Sequence, residues 1–272
     1  MNNTQFVVSP QWLFAHLLDS QVVIVDCRFS LADTQLGQQQ YQTNHIEGAY
    51  YLDLNQDLSS PVGEHGGRHP LPDLNNLANK LANIGINFQQ TLVVAYDDSR
   101  FAFASRLWWL LRYLGHEQVA VLDGGFAGWQ KSGYPVSDKI PLPKTGVFNP
   151  QLKSEKVVDY TYVKNFKDSP DVILVDSREG DRYRGERESI DKIAGHIPGA
   201  VNYPWSEVTD ASGFLRPQSE LQQRWQQLES DKEIIVYCGS GVTACVNLLS
   251  LEIAGISTGK LYVGSWSDWI SY

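Results

Sequence analysis

The feature that most restricts this chain is that it says the same thing twice. Val22-Val23-Ile24-Val25-Asp26-Cys27-Arg28 returns 150 positions later as Val172-Ile173-Leu174-Val175-Asp176-Ser177-Arg178. His45-Ile46-Glu47-Gly48-Ala49 returns at an offset of 151 as His196-Ile197-Pro198-Gly199-Ala200. Leu92-Val93-Val94-Ala95-Tyr96 matches Glu233-Ile234-Ile235-Val236-Tyr237, and Gly124-Gly125-Phe126-Ala127-Gly128-Trp129 matches the Val263 to Trp269 run less closely. Four marks in the same order at similar offsets define a duplicated domain. A chain of 272 residues has room for two cores.

Within each half, short β-rich runs alternate with helical patterns, which predicts parallel strands covered by helices. In the first half the pattern predicts helices over 10–18, 73–84 and 101–114, and strands over 22–25, 92–96 and 119–122. In the second it predicts strands over 172–175, 234–237 and 261–263, and helices over 219–228 and 244–253. Pro135, Pro141, Pro143 and Pro150 stiffen a stretch of little periodicity between the halves. The expected boundaries are a first domain over 1–138, an ordered connector over 139–156 and a second domain over 157–272.

A net charge of −9 argues against a nucleic-acid-binding surface. No apolar run approaches the ~20 residues that span a bilayer. Met1 to Gln5 lack the basic region and apolar core of a signal peptide. Cys27, Cys238 and Cys245 are too few and too scattered for a disulfide framework. The expected compartment is the reducing cytoplasm.

The chemistry concentrates at Cys238-Gly239-Ser240-Gly241-Val242-Thr243-Ala244, directly after the predicted strand. A cysteine at a strand end, in a loop whose N–H groups lead into a helix, is favoured as thiolate. The glycines let the backbone curl around the sulfur. The same cradle serves cysteine phosphatases, which need an arginine six residues after the cysteine; that position is Ala244, so phosphate chemistry is disfavoured.

These residues resemble the tandem-domain rhodanese sulfurtransferases over nearly the whole chain. The resemblance rests on Asp-x-Arg after a strand, His-Ile-Pro-Gly-Ala, Tyr-Cys-Gly-Ser-Gly-Val-Thr-Ala and the terminal Trp-Ser-Asp-Trp. It implies an α/β fold of two rhodanese-like domains, each a mainly parallel sheet flanked by helices. It also implies a catalytically silent first domain, a catalytic second domain and a donor bound in the cleft between them. Asp97 stands after Tyr96 where Cys238 stands after Tyr237, and a carboxylate cannot carry sulfur. The Cys-Gly-Ser-Gly-Val loop is similar to the 3-mercaptopyruvate branch. The thiosulfate branch typically places Arg and Lys where Gly239 and Ser240 stand here.

The resemblance implies that Cys238 takes a sulfane sulfur from 3-mercaptopyruvate or thiosulfate as a persulfide. A thiol, cyanide or a thioredoxin-like protein then accepts it, with no metal, organic cofactor, nucleic acid or membrane involved. Ser240 and His69 are the implied charge-relaying pair, although a loop serine can equally bond its own backbone. Gly239, Gly241, Val242 and Thr243 shape the cradle. Arg182 is the implied holder of the donor's anionic group, with Arg187 the nearest second arginine; a guanidinium fork suits a planar anion, and a surface ion pair is the alternative. A third, acidic partner for the Ser-His pair falls at Asn55, flanked by Asp53 and Asp57, which departs from the family pattern. His65 and His69 are four apart but separated by Gly66-Gly67, which disfavours a shared metal-binding helix face. His45 and His196, repeated in both halves, read as turn residues whose rings bond backbone. A rival role is a sulfur carrier that hands its persulfide to a partner enzyme without turning over free donor.

Overall fold

The computed structural model describes residues 6–228 and 232–272. They form two compact units, and the chain contributes to them in an interleaved way. Unit 1 comprises residues up to Ser59, Pro72–Lys153 and Ala211–Leu215; unit 2 comprises Ser60–Leu71, Ser154–Asp210 and Arg216–Tyr272. Unit 2 therefore contains a short arm, residues 60–71, from the first half of the sequence. Among the described residues no helix is long and apolar enough to cross a membrane.

Unit 1 holds β1 (Val7–Val8), β2 (Val22–Asp26), β3 (His45–Ile46), β4 (Tyr50–Tyr51), β5 (Leu92–Tyr96), β6 (Val119–Leu122) and β7 (Val136–Ser137). Five of these make a parallel sheet in the order β1-β6-β5-β2-β4, and β3 pairs antiparallel with β7. Unit 2 holds β8 (Val157–Val158), β9 (Val172–Asp176), β10 (Val201–Asn202), β11 (Glu233–Tyr237) and β12 (Gly259–Tyr262). Its sheet, β8-β12-β11-β9-β10, is parallel throughout and has the same topology. The central strands are near-continuous apolar runs because helices cover both faces, as parallel sheets require. Ile24, Val94, Tyr96, Leu122 and Trp129 centre one core; Leu174, Ile235, Tyr237, Tyr262 and Trp266 centre the other.

The repeated sequence marks are repeated bonds. Arg28 forks onto Asp26 and donates from Nη2 to the Asn44 carbonyl at 2.6 Å; Arg178 forks onto Asp176 and donates to the Gly195 carbonyl at 2.6 Å. The N–H groups of Ile46 and Ile197 donate to the hydroxyls of Tyr96 and Tyr237. His45 Nδ1 lies 2.7 Å from the Tyr41 carbonyl and His196 Nδ1 lies 2.8 Å from that of Tyr183. Both histidines thus brace a turn after the second strand of their sheet, in agreement with a shared architectural role. The stretch after β7 is fastened to unit 1 by backbone bonds, among them Gly146 N–H to Ala82 and Lys153 N–H to Tyr113.

One boundary differs from the periodicity in an informative way. The helix predicted from Phe101 begins at Ala104. Arg100 and Phe101 adopt φ of 58° and 73°, and the chain there winds around the Asp97 carboxylate before the helix can start. The two-residue strands β1, β3, β4, β7, β8 and β10 lie outside the periodicity, because two residues carry no readable period.

Candidate active site

β11 ends at Tyr237, and the next six residues turn the backbone back on itself before the helix Ala244–Ala254. Gly241 sits at φ 76°, and a Cβ there would meet the Val263 carbonyl oxygen at 2.3 Å, so only glycine closes this turn. The turn aims its donors inward. Gly241 N–H donates to Cys238 Sγ at 3.2 Å, and the Thr243 hydroxyl and the Ser240 and Ala244 N–H groups stabilise the thiolate with it. Burial alone would push the Cys238 thiol up, but these four donors together outweigh it and hold the thiol below its ordinary value of 9.0. Cys27 shows the contrast: buried near Asp26 and Asp97, its thiol is pushed well up. Cys245 is also buried, and its thiol donates to the Gly241 carbonyl at 3.4 Å.

A short helix, Ser265–Trp269, anchors both this loop and the arm of residues 60–71. Its Trp266 and Ser267 N–H groups donate to the Cys238 and Gly239 carbonyls, each at 3.0 Å, and Ser265 Oγ accepts the Cys238 N–H at 3.1 Å. On its other side Asp268 Oδ1 accepts the Gly66 N–H at 2.7 Å and Ser267 Oγ accepts the Arg68 N–H at 3.1 Å. Gly67 allows the close approach, since a Cβ would strike the Gly264 carbonyl oxygen at 2.3 Å. Tyr262 donates its hydroxyl to Asp268 Oδ2 at 2.7 Å and fixes that carboxylate. His65 Nδ1 lies 2.8 Å from Ser271 Oγ and its ring stacks on Tyr272 at 3.9 Å.

So held, the arm brings two side chains to the loop. His69 Nδ1 lies 2.8 Å from Ser240 Oγ, with both residues only 6% exposed. Arg68 reaches Gly239: a Cβ on that glycine would stand 2.9 Å from Arg68 Nη2 and 3.7 Å from Arg182 Nη2. Arg182 lies on the helix Gly180–Tyr183 that follows β9, and its guanidinium is bonded to Glu188 at 2.8 Å and Asp191 at 3.0 Å. Arg68 also pairs with Asp191.

Of the residues singled out in the sequence, Cys238, Gly239, Ser240, Gly241, Val242 and Thr243 make one cradle. His69 and Arg182 stand against it. Arg187 is placed elsewhere: it is exposed and donates to Asp181 at 2.6 Å. Asn55 is exposed on a turn in unit 1, its N–H bonded to Asp53. Asp53 and Asp57 are occupied in the same turn, Asp53 accepting the N–H groups of Asn55 and Gln56, and Asp57 accepting that of Asp53 and pairing with Lys80. Arg68, Glu188 and Asp191 were missed. The signal for Arg68 was its place beside His69 in Gly66-Gly67-Arg68-His69, a run otherwise rich in turn formers.

Comparison with known proteins places this geometry in context. The rhodanese-like domain model matches residues 9–132 and again 159–272. The chain is 41% identical over 276 residues to a probable 3-mercaptopyruvate sulfurtransferase of Pseudomonas aeruginosa, covering 100% of this chain and 96% of that protein. It is 32% identical to the thiosulfate sulfurtransferase of Rattus norvegicus, over 97% of this chain and 91% of the relative. The crystal structure of the Escherichia coli 3-mercaptopyruvate enzyme SseA superposes with a TM-score of 0.83 at 34% identity, covering 97% of this chain and 99% of that one.

Proposed function

The chain belongs to the rhodanese family, and on that footing we propose that it is a sulfurtransferase that carries a sulfane sulfur on Cys238. The observation that carries the reading is the sulfur itself. Cys238 is 2% exposed, its Sγ accepts the Gly241 N–H of its own loop, and the glycine that follows it is flanked by two guanidinium groups. A buried thiolate stabilised by fixed dipoles beside cations is a nucleophile arranged to meet an anionic donor.

With 3-mercaptopyruvate, the thiolate attacks the donor's sulfur. An S–S bond forms, the C–S bond breaks, and its electron pair passes into the enolate of pyruvate, which takes up a proton. With thiosulfate the S–S bond of the donor breaks and sulfite leaves with the pair. A thiol, cyanide or thioredoxin-like acceptor then attacks the outer sulfur and Cys238 departs as thiolate. Ser240 and His69, sharing a proton at 2.8 Å, are in this reading the pair that stabilises the charge developing on the enolate oxygen. Arg182 and Arg68 hold the donor's carboxylate or sulfonate. No charged side chain comes from residues 239–243, which favours a carboxylate donor over the thiosulfate dianion.

The reading assigns the chemistry to residues 157–272 together with the arm, and leaves 1–138 otherwise without a sulfur-carrying role. It needs no cofactor, and it sits with a reducing cytoplasm in which the three cysteines stay thiols. Intact mass measured after donor treatment tests it. One added sulfur on the wild-type chain and none on Cys238→Ser is the expected result. A sulfur adduct that survives on Cys238→Ser overturns it.

A further inference from the structure

Two arginines beside Gly239 would repel one another in the absence of a donor, and two acidic side chains offset them. The two do different things. Glu188 is committed to its own turn: Oε1 accepts the N–H groups of Ile190 at 2.9 Å and Asp191 at 3.0 Å, and the carboxylate also receives Arg182 and, at 3.5 Å, Arg178. Asp191 spends its carboxylate on the guanidinium groups, bridging Arg68 and Arg182 while only 3% exposed. Its Oδ2 stands 3.6 Å from where a Cβ of Gly239 would lie, against the loop that must receive the donor.

We propose that Asp191 is a specificity-determining residue that selects monoanionic carboxylate donors over dianionic ones. This rests on the sulfur-transfer reading and names the donor class of the same site. With Asp191 and Glu188 paired to them, the two guanidinium groups are balanced before any donor arrives, and the Cys238 thiolate adds a further negative charge. A monoanionic donor adds one negative charge beside the buried Asp191 carboxylate, and the repulsion it meets there is the smaller one. A dianion brings one more negative charge into a buried space where Coulomb interactions are poorly screened.

The test compares wild type with Asp191→Asn, which keeps the shape and removes the charge, and with Asp191→Glu, which keeps the charge. The kcat/KM ratio of thiosulfate to 3-mercaptopyruvate is expected to rise by about tenfold in Asp191→Asn, chiefly through the KM for thiosulfate, and to hold in Asp191→Glu. A second readout does not depend on sulfur transfer: protection of Cys238 from iodoacetamide by sulfate and by pyruvate. Sulfate is expected to protect Asp191→Asn at about one tenth of the wild-type concentration, with the shift for pyruvate roughly threefold at most. Asp191→Ser repeats the comparison if the asparagine variant does not fold. An unchanged sulfate-to-pyruvate ratio, or an equal loss for both anions, overturns the proposal. Absence of turnover in the wild type with the protection shift intact would overturn the sulfur-transfer reading instead.

Discussion

Ser240 Oγ lies 2.8 Å from His69 Nδ1 although 171 positions separate the two residues in the chain. The contact exists because the arm of residues 60–71 packs within unit 2, where Asp268 and Ser267 pin its backbone. Neither partner is on a flexible surface, so the geometry is set before a donor binds. Ser240→Ala removes the hydroxyl and leaves the sulfur's N–H donors in place. We expect kcat with 3-mercaptopyruvate to fall by about 10- to 100-fold. Thiosulfate, whose leaving sulfite needs no proton on carbon, should lose much less. Steady-state kinetics with both donors checks this; equal losses would make Ser240 a loop-shaping residue.

Asp268 supports the same pair at one remove. Its carboxylate holds the Gly66 N–H on one oxygen and the Tyr262 hydroxyl on the other, while 4% exposed. Asp268→Asn must present an amide N–H to one of these two donors, so one bond is lost. The arm then loosens at the residues just before Arg68 and His69. The expected outcome is a higher donor KM and a lower kcat, each by roughly three- to tenfold. The rate of Cys238 alkylation by iodoacetamide should stay within twofold of wild type, since that sulfur keeps its own loop donors. A large change in alkylation would mean that the helix 265–269 had moved as a whole.

The Cys238 thiol gives the site its pH dependence, and Thr243 is one of the groups that set it. Burial raises the Cys238 thiol, while the Thr243 hydroxyl and the N–H groups of residues 240, 241 and 244 lower it further than burial lifts it. The thiolate is the reactive form, so persulfide formation is lost as pH falls through that depressed value and is retained above it. Thr243→Val deletes one lowering contribution, and the acid limb of the kcat/KM profile moves to higher pH. Near neutral pH the variant should be slower by about tenfold, the worth of one hydrogen bond to a charged group. A limb that does not move would assign the low thiol to the backbone donors alone.

How much of this was legible in the sequence divides along a physical line. The duplication and the central strands were readable because buried parallel strands are written as apolar runs. Cys238 was readable because a strand-end cysteine before a glycine turn is favoured as thiolate, and Ala244 lacks the arginine that phosphate chemistry needs. The arm was not. Residues 61–69 are turn formers without period, and what fixes them is tertiary: Gly67 against the Gly264 carbonyl, and His65 against Tyr272. Arg68 and Asp191 are far apart in the chain and come together only through that packing. Arg187 misled for the opposite reason, since spacing along a loop does not tell which of two arginines turns inward and which pairs with Asp181 at the surface.

Asp97 extends the comparison to the loop that lacks a cysteine. It follows β5 as Cys238 follows β11, and its carboxylate takes the place of an anion in an equivalent cradle. Oδ1 accepts the N–H groups of Ser99 at 2.8 Å and Phe101 at 3.1 Å, and Oδ2 those of Phe103 and Ala104, each at 2.8 Å. Phe126 N–H donates to the Asp97 carbonyl at 2.8 Å, as Trp266 N–H does to that of Cys238. Four converging donors need an acceptor with two oxygens, and the chain supplies one permanently instead of leaving the cradle for a ligand. Asp97→Asn turns one oxygen into an NH2 group facing N–H donors inside a buried turn, which leaves about two donors unsatisfied. We expect unit 1 to lose roughly 2–4 kcal/mol of stability, read as a lower denaturation midpoint. The mass of the donor-treated chain should still rise by one sulfur, because Cys238 and its arm belong to unit 2. A variant as stable as wild type would mean that the loop around residue 97 is held by its backbone geometry and does not need the carboxylate.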